Sequence, residues 1–159
     1  MKPMKHTQDT AGAAQPLLGA TERQAARHAS RAGTTFARFV QRVADAGGYS
    51  IADAKRNAVA VIATLEERLP IREVCNLEAQ LPTRLDSLLA FEPLNGLPAM
   101  DRAQFCERVA ARAGVTSAEA ESVAGTIFAV LRSLIAGGEV RHVADRLPED
   151  LMELWSNSR

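Results

Sequence analysis

The sequence predicts an all-α fold: a tandem duplication of a four-helix unit, packed as one helical bundle behind a flexible N-terminal arm. Three observations predict it. Apolar residues recur at helical spacing, as in Phe36, Phe39, Val40 and Val43. Hydroxyl-then-carboxylate pairs stand where helices should begin, at Ser50 with Asp53 and at Thr116 with Glu119. The third is self-similarity: shifted by 66 positions, Ala37–Leu89 matches Ala103–Trp155 without gaps, with 17 identities in 53 pairs. Six of these are Ala–Ala and carry little weight; the other eleven fall where packing or turns need them.

Helix by helix, the two copies read alike. The first helix spans about Phe36 to Asp45, and its copy about Arg102 to Ala113, with Phe105, Cys106 and Val109 on the stripe and Asp101 with Gln104 as a capping box. Gly48 and Gly114 end these helices, because glycine accepts the left-handed conformation of a C-terminal cap. The second helices bury Ala58, Val61, Ile62, Leu65 and Leu69, matched by Ala124, Ile127, Phe128, Leu131 and Ile135. Pro70 in one copy and Gly137-Gly138 in the other are expected to break the chain.

Short third helices then turn Val74, Leu77 and Leu81, or Val140, Val143 and Leu147, inward. Pro82 and Pro148 open the fourth, anchored by Leu85, Leu88 and Leu89 in one copy and Leu151, Leu154 and Trp155 in the other. The domains read as an arm over 1–32, largely disordered or partly helical, a first repeat over 33–89, a linker over 90–100 and a second repeat over 101–159. Within the arm, Thr21 to Ala32 has helical spacing but an apolar side of alanine alone, which offers little to dock. A unit of about 55 residues buries only about 60% of its unfolded surface, so the copies should pack face to face.

Composition narrows the function classes. The formal charge is zero, distributed as +3 over residues 1–32, neutral over 33–89 and −3 over 90–159. That asymmetry is weaker than a nucleic-acid footprint. Two cysteines give no disulfide framework, and no apolar run is long enough to span a membrane. The expected location is the cytoplasm, and 16 Arg against three Lys fits a GC-rich bacterial genome.

The Phe-x-x-Arg-Val-Ala segments at Phe39–Ala44 and Phe105–Ala110 resemble the bacterial family called domain of unknown function 2267. So do the acid-and-alanine helix after each capped turn, Gly137–Glu139 and Gln80–Pro82, and the resemblance covers about Ala37 to Trp155. It implies a helical fold with tandem copies, and it brings no catalytic or binding residues. Pro70-Ile71-Arg72 departs from the family's Gly-Gly turn, which puts the turn geometry there in question.

No constellation for chemistry emerges. Cys106 reads as a small core residue, Cys75 and His142 as surface positions, and His6, His28 and His142 lack ligand spacing. Glu66-Glu67 reads as a solvated face and Glu149-Asp150 as helix N-terminal charge. Arg42 and Arg108 read as matching local ion pairs, and Trp155 as core filler. Accordingly no catalytic, cofactor-binding or metal residue is assigned, and no cofactor is expected. Arg23, Arg27 and Arg31, at four-residue spacing, are the candidate partner contacts.

The leading expectation is a non-enzymatic helical interaction or scaffold protein with an unknown protein partner or self-association, and no membrane. One alternative is a nucleic-acid-associated protein using the basic arm. Another is a small-ligand carrier or enzyme with a pocket between the repeats.

Overall fold

The computed structural model describes residues 19–82, 85 and 99–158, with side chains at 28–34 excepted. Expectations for 1–18, for Leu88 and Leu89, and for most of the linker lie outside these residues. The described residues form seven helices and no strand: α1 (Ala20–Gly47), α2 (Ile51–Arg68), α3 (Ile71–Glu78), α4 (Arg102–Ala113), α5 (Ser117–Leu134), α6 (Gly137–Ala144) and α7 (Glu149–Asn157). Leu85 is itself helical and fully buried.

Each helix start has a local cause. Ser50 Oγ accepts from the Asp53 amide, and Thr116 Oγ1 from the Glu119 amide, at 3.1 and 3.2 Å. Asp101 and Gln104 cap α4 reciprocally. The first helices end at Gly48 and Gly114, whose φ values of 66° and 69° are the only positive ones among the described residues. A Cβ there would press on the following carbonyl, so glycine is the residue that fits.

The expected buried stripes are observed. Every residue assigned inward on α2 and α5 is buried, as are Phe39, Val43, Phe105 and Val109. Packing is crosswise: α1 lies on α2 and on α5, and α4 lies on α5 and on α2. Phe105, Phe128 and Trp155 form a tilted and then edge-on series with centroids 5.7 and 5.0 Å apart. The Trp155 Nε1–H donates to the Val140 carbonyl at 3.1 Å, which satisfies its one polar group inside the core.

Four sequence expectations need correction. The first helix begins at Ala20 instead of about Phe36, and runs through Gly33 without a break. One interior glycine costs about 1 kcal/mol, which the helix formers on both sides outweigh. Gly137-Gly138 do not break the chain, because they are the first two residues of α6. The turn is made by extended residues instead: Ile135 and Ala136 at ψ 156° and 144°, and Leu69 and Pro70 at 146° and 148°. The Pro70 departure therefore leaves the turn geometry unchanged.

Glu66 is buried, since helical register sets it between Ile62 and Leu69 on the core stripe. Arg42 and Arg108 do not pair locally. Each reaches the other half of the chain, Arg42 donating to Ser133 Oγ at 2.9 Å and Arg108 bridging Glu67 at 2.7 Å. Ser133 and Glu67 are themselves 66 positions apart, so the two contacts correspond.

The two kinds of glycine should respond differently to substitution. Gly114→Ala is expected to cost about 1–2 kcal/mol in urea denaturation, because alanine is forced into the left-handed region. Gly138→Ala should cost nothing, since its φ is ordinary and a Cβ there meets no atom within 4 Å. Equal losses at both positions would contradict this assignment.

Candidate interaction surfaces

The α1 helix carries the candidate contacts predicted from sequence. Every residue from Gly19 to Arg27 is exposed, so no described element covers this part of the helix. Arg23 and Arg27 are exposed here; Arg31 lies within α1, with its side chain outside the described set. Arg38 and Arg42 are exposed further along. At 3.6 residues per turn, Arg23, Arg27, Arg38 and Arg42 fall within about 100° of arc, on the side away from Phe36, Val40 and Val43. They extend over roughly 28 Å. None of the ion pairs between described residues uses Arg23, Arg27 or Arg38.

Other charges are occupied by the fold. Glu67 receives Arg108 and Arg112, and Arg112 also donates to Thr64 Oγ1 at 2.7 Å, which ties α4 to α2. Burial works to raise the Glu67 carboxyl, but hydrogen bonds from Arg112 and Arg108 prevail and hold it below the ordinary value. Asp150 accepts from the Arg102 and Leu151 amides at 2.9 and 2.8 Å, so one carboxylate serves the N-termini of α4 and α7. Around the short helices, Gln80 Oε1 accepts from the Ala136 amide at 2.7 Å, and Arg146 reaches Glu73 at 3.4 Å.

The groups that sequence offered for covalent or metal chemistry do not converge. Cys106 is buried, and burial pushes its thiol up, away from the reactive thiolate. Cys75 is exposed. His142 is exposed and lies 3.7 Å from Glu139. Among the described residues no group of three His, Cys, Asp or Glu side chains is placed to hold a metal. None of their helices is long and apolar enough to cross a membrane.

Concave surfaces lie along α2 and between the halves. A shallow groove of about 540 Å³ runs along α2, floored by Ala52, Val59 and Ala63 and edged by Lys55, Arg56 and Arg112. Lys55 Nζ stands 6.0 Å from the Phe36 ring centre, close enough for a cation–π contact.

A second cavity, of about 340 Å³, lies between the first and second halves. Positions 66 apart line it together: Tyr49 with Val115, Asp53 with Glu119. Arg56 with Ser122 and Asn57 with Val123 complete the correspondence. Tyr49, Arg56 and Asn57 each supply a larger polar group than their counterparts Val115, Ser122 and Val123, whereas Asp53 and Glu119 are both carboxylates.

The two carboxylates of this cavity are held ionised. Hydrogen bonds from Ser50 and then Arg56 lower the Asp53 carboxyl, and the Thr116 amide and hydroxyl lower that of Glu119. Arg56 bridges Asp53 at 2.6 Å and spends its Nε–H on the Ala113 carbonyl at 2.8 Å. Among the described residues no cation pairs with Glu119.

Asn57 is 3% exposed, and its Oδ1 has no hydrogen-bond partner. Left so, a buried acceptor costs about 1–3 kcal/mol. Sequence reading passed over Asn57, although one signal was present: an amide on the buried side of α2 where the matching position holds valine.

The Glu67 clamp gives a pH signature. Its folded carboxyl lies below the ordinary 4.5, so its contribution is complete above that value and fades as pH falls through the lowered one. Glu67→Gln should cost about 1 kcal/mol at pH 7. The gap from wild type should close in urea titrations carried down toward pH 3, and a gap independent of pH would refute the ion-pair account.

The sequence profile of the uncharacterized conserved protein family DUF2267 matches residues 36–154, and the chain belongs to that family. No curated protein matches the chain.

Proposed function

We propose that this protein is a non-enzymatic helical interaction module, acting in the cytoplasm, whose α1 arginine face docks an acidic surface of a protein partner. The observation that carries this reading is the side of α1 on which Arg23, Arg27, Arg38 and Arg42 are all exposed, part of it on helical turns that support no core. Guanidinium groups suit this task, because each presents several donors in a plane that matches a carboxylate. A row of them over roughly 28 Å selects an extended acidic surface over a single small anion. The groups with chemistry suited to catalysis are meanwhile engaged: Cys106 in the core, Asp150 and Glu119 at helix caps, and Glu67 between two arginines.

A second reading, contact with nucleic-acid phosphates, draws on the same arginines. The −3 charge of residues 90–159 opposes it, since a polyanion gathered along α1 would be repelled by the acidic half. Salt dependence separates the two. Phosphate binding through four arginines predicts a slope of roughly −3.6 in log affinity against log salt on duplex of arbitrary sequence.

The test begins with the full-length chain as bait in native-host lysate, followed by rebinding of each purified partner. Arg23→Gln with Arg27→Gln should weaken the authentic partner at least about tenfold, with helix content unchanged because both positions are exposed. Undiminished binding by that double variant would overturn the α1 assignment. Tight duplex binding with the steep slope would transfer the arginine face to nucleic acid.

A further inference from the structure

We infer that the groove along α2 binds a single-chain amphiphile, a hydrocarbon tail that ends in one carboxylate. Its volume of about 540 Å³ lies within the range of small-ligand pockets. Spread over the about 16.5 Å of helix from Ala52 to Ala63, that volume leaves a mean cross-section of about 33 Å². One extended hydrocarbon chain fits such a section, whereas an α-helix needs about 80 Å² or more. The floor is apolar and within reach: Ala52 is exposed, and Val59 and Ala63 are half-buried. From Lys55 to Ala63 the helix advances about 12 Å, the length of about ten saturated carbons.

The rim sets the charge of the head. Lys55, Arg56 and Arg112 border the groove, and among the described residues no carboxylate does. Arg56 is matched by Asp53 and Arg112 by Glu67, which leaves Lys55 as the rim cation that no described carboxylate pairs. Lys55 is exposed, and its ammonium stands 6.0 Å from the Phe36 ring centre. A carboxylate offers it a charge-assisted hydrogen bond, which is stronger than that ring contact at an exposed site. One available cation calls for one negative head.

The second half does not repeat this pattern. At the matching positions, Lys55, Arg56, Val59 and Ala60 give way to Glu121, Ser122, Gly125 and Thr126. There Glu121 bridges Arg102, and Ser158 Cβ lies 3.9 Å from where a Cβ on Gly125 would stand. The same helical unit is thus built with an acidic, polar face at this place. The fold itself does not demand cations above an apolar floor.

This inference does not rest on the α1 reading, and its test leaves the α1 arginines untouched. The full chain is titrated with sodium decanoate, below its micellar concentration and at constant ionic strength, and followed by methyl NMR. Saturable one-to-one shifts are expected at the methyl groups of Ala52, Val59 and Ala63. Sodium butyrate, which lacks the tail, and decyltrimethylammonium, which reverses the charge, should produce none.

Lys55→Gln, at an exposed position, should weaken decanoate about fivefold, and Lys55→Arg should keep most of the affinity. Absence of saturation, an equal response to decyltrimethylammonium, or undiminished affinity in Lys55→Gln would overturn the proposal. Sedimentation of the ligand-free chain adds a further check. Concentration-dependent association that is lost in Lys55→Gln would give the groove to a second copy of the chain, and the proposal would fall.

Discussion

The apolar surfaces of the two halves cover one another in a single core, and the structure follows from that sharing. About 55 residues leave a large part of a core open to water. The two long helices α2 and α5 therefore serve as a common wall, each flanked by its own half's first helix and by that of the other half. Leu65, Leu131, Ile62 and Phe128 are wholly buried by this arrangement. Polar contacts follow the same crosswise plan. Arg42 and Arg108, at matching positions, each find their partner in the opposite half.

The parts of the fold legible from sequence were those decided locally or by periodicity. Cap residues act within one helical turn, so Ser50, Thr116 and Asp101 announce α2, α5 and α4 by themselves. Stripes on α2 and α5 are strongly periodic, and burial obeyed them residue for residue. Interpretation failed where a residue's meaning depended on a distant segment. Glu66 looks solvated beside Glu67, yet the register turns one inward and leaves the other for two arginines of α4. Gly137-Gly138 looks like a breaker, yet the bend lies one residue earlier, in extended backbone that Pro70 and Ala136 adopt equally well.

The surfaces were legible to different degrees. Four-residue spacing alone disclosed Arg23, Arg27 and Arg31, but the continuity of α1 that brings Arg38 and Arg42 onto the same side was hidden by Gly33 and the threonines after it. The cavity between the halves was less accessible to sequence reasoning. It is assembled from the N-terminal turns of two helices 66 positions apart, and nothing in a linear pattern says that these turns face each other. Only the mismatch of Asn57 with Val123 marked the two turns as unequal.

The length of α1 has a mechanical consequence. Because one unbroken helix carries Arg23 near its N-terminal end and Phe39 in the core, about 24 Å of rod separates the two. A force on the outer turns is delivered as torque where Phe39 and Val43 seat against the bundle. Anything that grips the tip thereby pulls on the interior, and the helix acts as a lever whose fulcrum is the protein's own core.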